Sequence, residues 1–300
     1  WIDLMETAYG AVVNVPGSPY PMGPSSGGVG VLSWWMIVSD TARLLTETGV
    51  KYTVLGDEPA LPPDGPFVST SRPLGGLYAE EALARQKAAE SEMSLVTRIA
   101  EMAVHTVMRG GRVYSYSRWE PYTCAEVYAR RGGLGLTYGV YGAPDALTLF
   151  DDPIQQGKLD LRFKPTGKDT VIMGLVKPDD PDDLAALDRF RKAGMRVASI
   201  GPATRGGVVP SGRTVPKETD VHAGAGCDTY GLFALPGVLR KICPVSGFAA
   251  NQLLWMVCVE IAEQIIARTG NVPGIYLNGA MEGGMDRLEE VKSLLRQRGY

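Results

Sequence analysis

His105 and His222 are the only imidazoles in the chain, and Cys124, Cys227, Cys243 and Cys258 the only thiols. No Cys-x-x-Cys pair occurs, whereas a structural zinc site gathers several such ligands at short spacing. No metal is expected. Cys124 and Cys258 fall in helical patterns and read as small buried apolar residues, which suits a reducing, cytoplasmic setting. Proton transfer has three candidates. His222 follows the predicted strand pair Asp220-Val221 and is the side chain best suited to exchange a proton near neutral pH. Glu260 interrupts an otherwise apolar helical run, so it needs a partner, a raised pKa or a wet edge. Glu126 lies about one turn into a helix, where the dipole also favours a surface or interface carboxylate.

Candidate ligand-binding groups are hydroxyls and cations at strand and helix ends. Ser115 and Ser117 alternate with Tyr114 and Tyr116, as the two faces of a strand require. Arg118 and Lys177 each stand just beyond a predicted strand, and Ser246 opens a long helix. Ser246 reads equally as an N-cap and as an anion contact at a helix N-terminus. Arg205-Gly206-Gly207 and Ser211-Gly212-Arg213 form a loop able to reach an anion.

Several familiar machines are excluded. Gly224-Ala225-Gly226 has no third glycine at dinucleotide-binding spacing, and Gly167-Lys168 lacks the rest of a P-loop. Gly-x-Ser-x-Gly is absent. A net charge of −3 gives no cationic footprint for nucleic acid or an anionic membrane. The apolar runs 29–38 and 248–266 are respectively too short and too interrupted to span a bilayer.

The elements that must position these residues alternate. Leu95, Ile99, Met102, Ala103 and Val107 recur at helical spacing and predict a helix stopping at Gly110-Gly111. Strands are predicted at Arg112–Ser117, Thr170–Val176, Arg196–Ile200, Asp220–Ala223 and Gly274–Leu277. Helices are predicted at Tyr122–Arg131, Pro181–Ala193 and Phe248–Arg268. Short connections between strand and helix imply a parallel sheet covered on both faces. Residues 1–80 hold 9 of the 21 prolines and read as an arm carrying one helix, about Gly30–Glu47, and a strand-like piece at Lys51–Leu55. Residues 81–300 form the α/β domain.

Five of these segments resemble, in order, those of sugar isomerase (SIS) domains of the phosphosugar-binding branch. They are Gly110-Gly111-Arg112-Val113-Tyr114 with the run from Ala125 to Leu134, and Pro210-Ser211-Gly212-Arg213 leading to Asp220-Val221. Leu235-Pro236-Gly237, then Pro244-Val245-Ser246-Gly247, and the tail from Leu277 to Gly284 complete the set, covering roughly residues 82–300. The resemblance implies a flavodoxin-like three-layer sandwich around a five-stranded parallel sheet, a homodimer, and a sugar phosphate held by Ser and Thr hydroxyls and helix N-termini. It also implies aldose–ketose isomerisation through an enediol, with lyase chemistry on the same fold, and no cofactor. Two turns depart from the family: Tyr116–Pro121 is bulky, and Leu175–Asp180 has no hydroxyl. Its acids would repel a phosphate unless Lys177 and Arg118 compensate. The alternative implied is a non-catalytic SIS scaffold or sensor, with Trp119 or Trp34-Trp35 covering the pocket.

Overall fold

In a computed structural model the structure describes residues 11–54, 72–118, 133–142, 144, 146–149, 163–224, 226–228, 231–277 and 282–297. The first elements are β1 (Ala11–Val13), β2 (Met22–Pro24), α1 (Ser25–Glu47), α2 (Leu74–Glu90) and α3 (Met93–Met108). After them come β3 (Val113–Tyr116), β4 (Thr137–Tyr141), β5 (Thr148–Leu149) and β6 (Thr170–Gly174). The chain continues through α4 (Pro181–Lys192), β7 (Arg196–Ile200), α5 (Val215–Glu218) and β8 (Val221–Ala223). It ends with β9 (Gly231–Phe233), β10 (Ile242–Pro244), α6 (Ser246–Thr269) and α7 (Gly284–Gln297).

The central sheet runs β5-β4-β3-β6-β7-β8. β4, β3, β6, β7 and β8 are all parallel, and only the two-residue edge strand β5 is antiparallel. The expected α/β fold with a five-stranded parallel sheet is therefore present. Chain order reverses at β3, which lies between β4 and β6, so the topological switch point is at the carboxyl ends of β3 and β6.

Register decides what each face carries. Ser115, Ile172, Ala198 and Val221 lie in one row; Tyr116, Met173, Ser199 and His222 lie in the next, on the opposite face. The first face packs on α3 and α6 through Val113, Ile172, Ile200, Ile99, Leu253 and Val257. The second packs Tyr114, Tyr116, Val171 and Met173 against Leu187 and Phe190 of α4 and Val291 and Leu295 of α7. Phe190 meets Tyr116 and Phe163 edge to face at 5.4 and 5.8 Å. Each fully buried side chain of this size contributes about 1.5–3 kcal/mol.

The helix stops predicted at Gly110 and Gly194 hold. At each, the glycine has φ above 70° and its N–H returns to the last turn, with the next N–H reaching one residue further back. That left-handed closure is costly for a residue with a Cβ.

Other expectations change. Gly274–Leu277 is no strand: Ile275 makes a single antiparallel bridge to Leu134, ahead of β4. Pro273 precedes it, and Arg287 takes the Ile275 and Pro273 carbonyls that a strand would use in pairing. Residues 51–54 form no strand among the described residues. The predicted helix Tyr122–Arg131, with Glu126, Cys124 and Trp119 around it, lies outside the described residues. α2 was not anticipated and runs through residue 80.

The proline-rich region contributes to the core. Val15 and Met22 are buried with the α3–α6 cluster, and the Tyr20 ring lies 4.4 Å from the Arg287 guanidinium. α1 and α2 close over β9 and β10 in a third cluster built on Leu74, Tyr78, Leu235 and Ile242.

Candidate functional site

β3 carries Ser115 toward α6 and its two tyrosines toward α4 because a strand turns each successive side chain to the other face. Ser115 is buried at 2 % exposure and its Oγ has no hydrogen-bond partner. It lines a cavity of about 10 Å³ with Ile172, Gly174 and Ile200 of the sheet and Ala250 and Leu254 of α6. That is room for one water. Ser117 is buried one residue beyond the strand. A Cβ at Gly174 would stand 3.5 Å from the Ser117 Cβ and 3.8 Å from its Oγ, so the glycine keeps this corner open.

Ser246 belongs to the first turn of α6 and not to its cap, which is Val245. No side chain caps the helix, and the hydroxyl of the buried Ser246 makes no hydrogen bond among the described residues. Being four residues before Ala250, it shares the helix face that meets the Ser115 cavity. Ser115, Ser117 and the first turns of α6 thus gather at the switch point.

The neighbouring corner is closed by its own acids. Asp180 caps α4, its Oδ1 accepting from the N–H groups of Asp182 at 3.0 Å and Asp183 at 3.2 Å. Pro181 at the first helical position fits, since its missing N–H would go unused there. Arg118 pairs with Asp180 at 3.3 Å and also with Asp182. An anion arriving at this helix end would have to displace a resident carboxylate. Arg205 is likewise held by Asp179 at 2.7 Å, and Arg213 by Asp188 and Glu218. Lys177 is half-buried on the same turn.

Beneath that corner Asp183 is fully buried. Its Oδ1 accepts from the Tyr116 hydroxyl at 3.3 Å and its Oδ2 has no partner. Burial, reinforced by the Asp180 charge, pushes the Asp183 carboxyl up to about 7. Burial and the same Asp183 carboxylate raise the Tyr116 phenol too.

The proposed bases stand elsewhere. His222 is on the tyrosine face, with the sheet between it and Ser115. Its Nδ1 bonds Ser199 Oγ at 2.8 Å, which continues to Thr219 Oγ1 at 2.9 Å, while Nε2 is buried without a partner. Burial pushes its pKa down to about 4, so the ring is neutral at pH 7. Glu260 lies 14 residues along α6 from Ser246, about 21 Å by helical rise, and accepts from Gln264 Nε2 at 2.9 Å. Trp34 is exposed and Trp35 packs 6.5 Å from Tyr78; neither lines the Ser115 cavity.

Sequence reasoning placed the Asp179 and Asp180 carboxylates at this turn, with Arg118 and Lys177 to offset them, but missed Asp183 as a site-shaping group. Asp-Pro-Asp-Asp is a legible helix start. Nothing local announces that Arg118, 62 positions earlier, folds onto it.

Among the described residues no three His, Cys, Asp or Glu side chains group as a metal site would, and no helix is long and apolar enough to cross a membrane. Comparison with protein-family models and with curated proteins gave no match.

Proposed function

We propose that the chain is an SIS-type protein that binds an anionic carbohydrate derivative, a sugar phosphate, at the carboxyl edge of its sheet. The observation that carries this reading is the buried, unpartnered Ser115 hydroxyl at the switch point, facing the uncapped first turns of α6. A buried hydroxyl without a partner is costly, and a ligand hydroxyl would satisfy it. Uncapped N–H groups at a helix start favour an anion. The phosphate therefore belongs at α6 and not at α4, where Asp180 already occupies the equivalent position. Isomerisation needs a base at this corner. Glu260 and His222 stand away from it and Glu126 lies outside the described residues, so the proposal is one of binding.

The test is thermal unfolding with hexose and heptose phosphates, their parent sugars and inorganic phosphate. A sugar phosphate should stabilise more than its parent sugar, and Ser115→Val should weaken the stabilisation by both. No stabilisation across the panel would overturn the binding reading.

A non-catalytic scaffold is the second reading, supported by the one-water size of the cavity and by the neutralised Arg118. Its proposed partner is a second copy of the chain. α1 is apolar on two faces: Leu32, Trp35 and Met36 pack inward, whereas Val31, Trp34, Ile37 and Leu44 are exposed. A helix apolar on two faces calls for cover on both. Sedimentation of the wild type and of Trp34→Asp tests it; a monomeric wild type sinks the dimer.

A further inference from the structure

A groove of about 680 Å³ lies between the segment that follows α1 and the turn joining β9 to β10. It shares no residue with the Ser115 cavity. Val50, Val54, Pro236 and Leu239 give it apolar walls, and Val50 and Leu239 are 50 and 73 % exposed. Exposed aliphatic side chains grouped around a concavity mark a binding surface more often than scattered ones do. The volume falls within the range of small-molecule pockets.

Both lips are fixed turns. Gly49 closes α1 in the left-handed conformation, with its N–H on Thr46 O and the Val50 N–H on Leu45 O. Gly237 has the same positive φ at the tip of the opposite turn. The Tyr52 hydroxyl, on the floor, is committed to Thr46 Oγ1 and Ala42 O, which ties the segment to α1.

The polar character is one-sided. Lys51 and Arg240 line the groove, and among the described residues no Asp or Glu does. The Lys51 ammonium makes no ion pair among the described residues, although the chain as a whole is acidic. Lys51, Thr53 and Val54 also make no hydrogen bond among the described residues, which leaves backbone N–H groups along one wall for an acceptor.

We propose that this groove binds a small amphiphile with a single acid group, a medium-chain or aromatic carboxylate. Its apolar body lies on the Val50, Val54 and Leu239 walls, and its carboxylate meets Lys51 and the free N–H groups of the 51–54 segment. The apolar part supplies most of the affinity, and the Lys51 ammonium selects the acid over its neutral or cationic analogues.

The test uses the full chain and displacement of the fluorophore anilinonaphthalene sulfonate by dissolved decanoate, decanol and decyltrimethylammonium. Decanoate should displace the probe at lower concentration than either analogue. Lys51→Glu should weaken decanoate about tenfold and leave decanol unchanged. Leu239→Ser should weaken decanoate and decanol alike, with circular dichroism reporting that the fold is kept. Equal potency of decanoate and decanol, or no effect of Lys51→Glu, would overturn the proposal. So would binding confined to phosphatidylglycerol vesicles with none to dissolved decanoate, which would mean a lipid surface. Displacement only by an extended peptide would mean strand addition and would overturn it equally.

Discussion

Asp183→Asn replaces a buried carboxyl by a group of nearly the same size that does not titrate. In the wild type the folded pKa stands at about 7 against an ordinary 3.8, because burial and the Asp180 charge disfavour the ionised form. The folded state therefore holds this proton more tightly than the unfolded chain does. Stability from this site is fully present below pH 3.8, declines as pH rises, and is gone once pH passes 7. At about 1.4 kcal/mol per pKa unit, the full excursion is about 4 kcal/mol. Relaxation around the unpartnered Oδ2 makes that an upper figure. The Asn variant keeps an acceptor for the Tyr116 hydroxyl but leaves its amide N–H groups unpaired where Oδ2 stood, a cost of about 1–3 kcal/mol at every pH. Urea unfolding of both proteins from pH 4 to pH 8 separates the two contributions. The variant should be the less stable protein at pH 4 and gain on the wild type steadily, by about 2–4 kcal/mol over the range. A stability difference that stays constant from pH 5 to pH 8 would refute the reasoning, since Asp183 would then not be titrating in this window.

His222 should act with the opposite sign. Its folded pKa of about 4 lies below the ordinary 6.5, so its contribution is intact above pH 6.5 and is lost as pH falls through 4; His222→Gln should flatten that acid limb in the same urea series. Asp180→Ala removes the α4 cap at a cost of about 1–2 kcal/mol in chemical unfolding. It also removes one of the two carboxylates paired with Arg118 and uncovers two helix N–H groups, so calorimetry should show tighter binding of inorganic phosphate than the wild type has. Phe190→Ala empties the place between Tyr116 and Phe163 and should cost about 3–5 kcal/mol, read by thermal unfolding.

The fold was more legible than the site, for reasons visible in single residues. Gly110 and Gly194 announce helix ends because the left-handed closing residue is a local demand. Arg196–Ile200 reads as a strand because its apolar run is short and bounded by Gly194 and Gly201. α2 was missed because its apolar stripe is thin: Tyr78 and Ala82 meet the third cluster, while Leu83 on the same helix stays exposed. At the site, Ser246 was correctly tied to the start of a long helix, yet its position inside the first turn depends on where Val245 turns. His222 and Glu260 were plausible bases as residue types. Register put the first on the far face, and helix length carried the second about 21 Å away.

The sequence by itself determined the alternation of strand and helix, the helix stops, and which residues of β3 share a face, because each rests on spacing of a few residues or on a local backbone conformation. Tertiary structure alone decided which face meets α6, that Arg118 is neutralised across 62 positions by the cap of α4, and that Ser115 is left buried without a partner. Those outcomes depend on pairing distant segments, where burial and opposite charges act between residues that no local pattern relates.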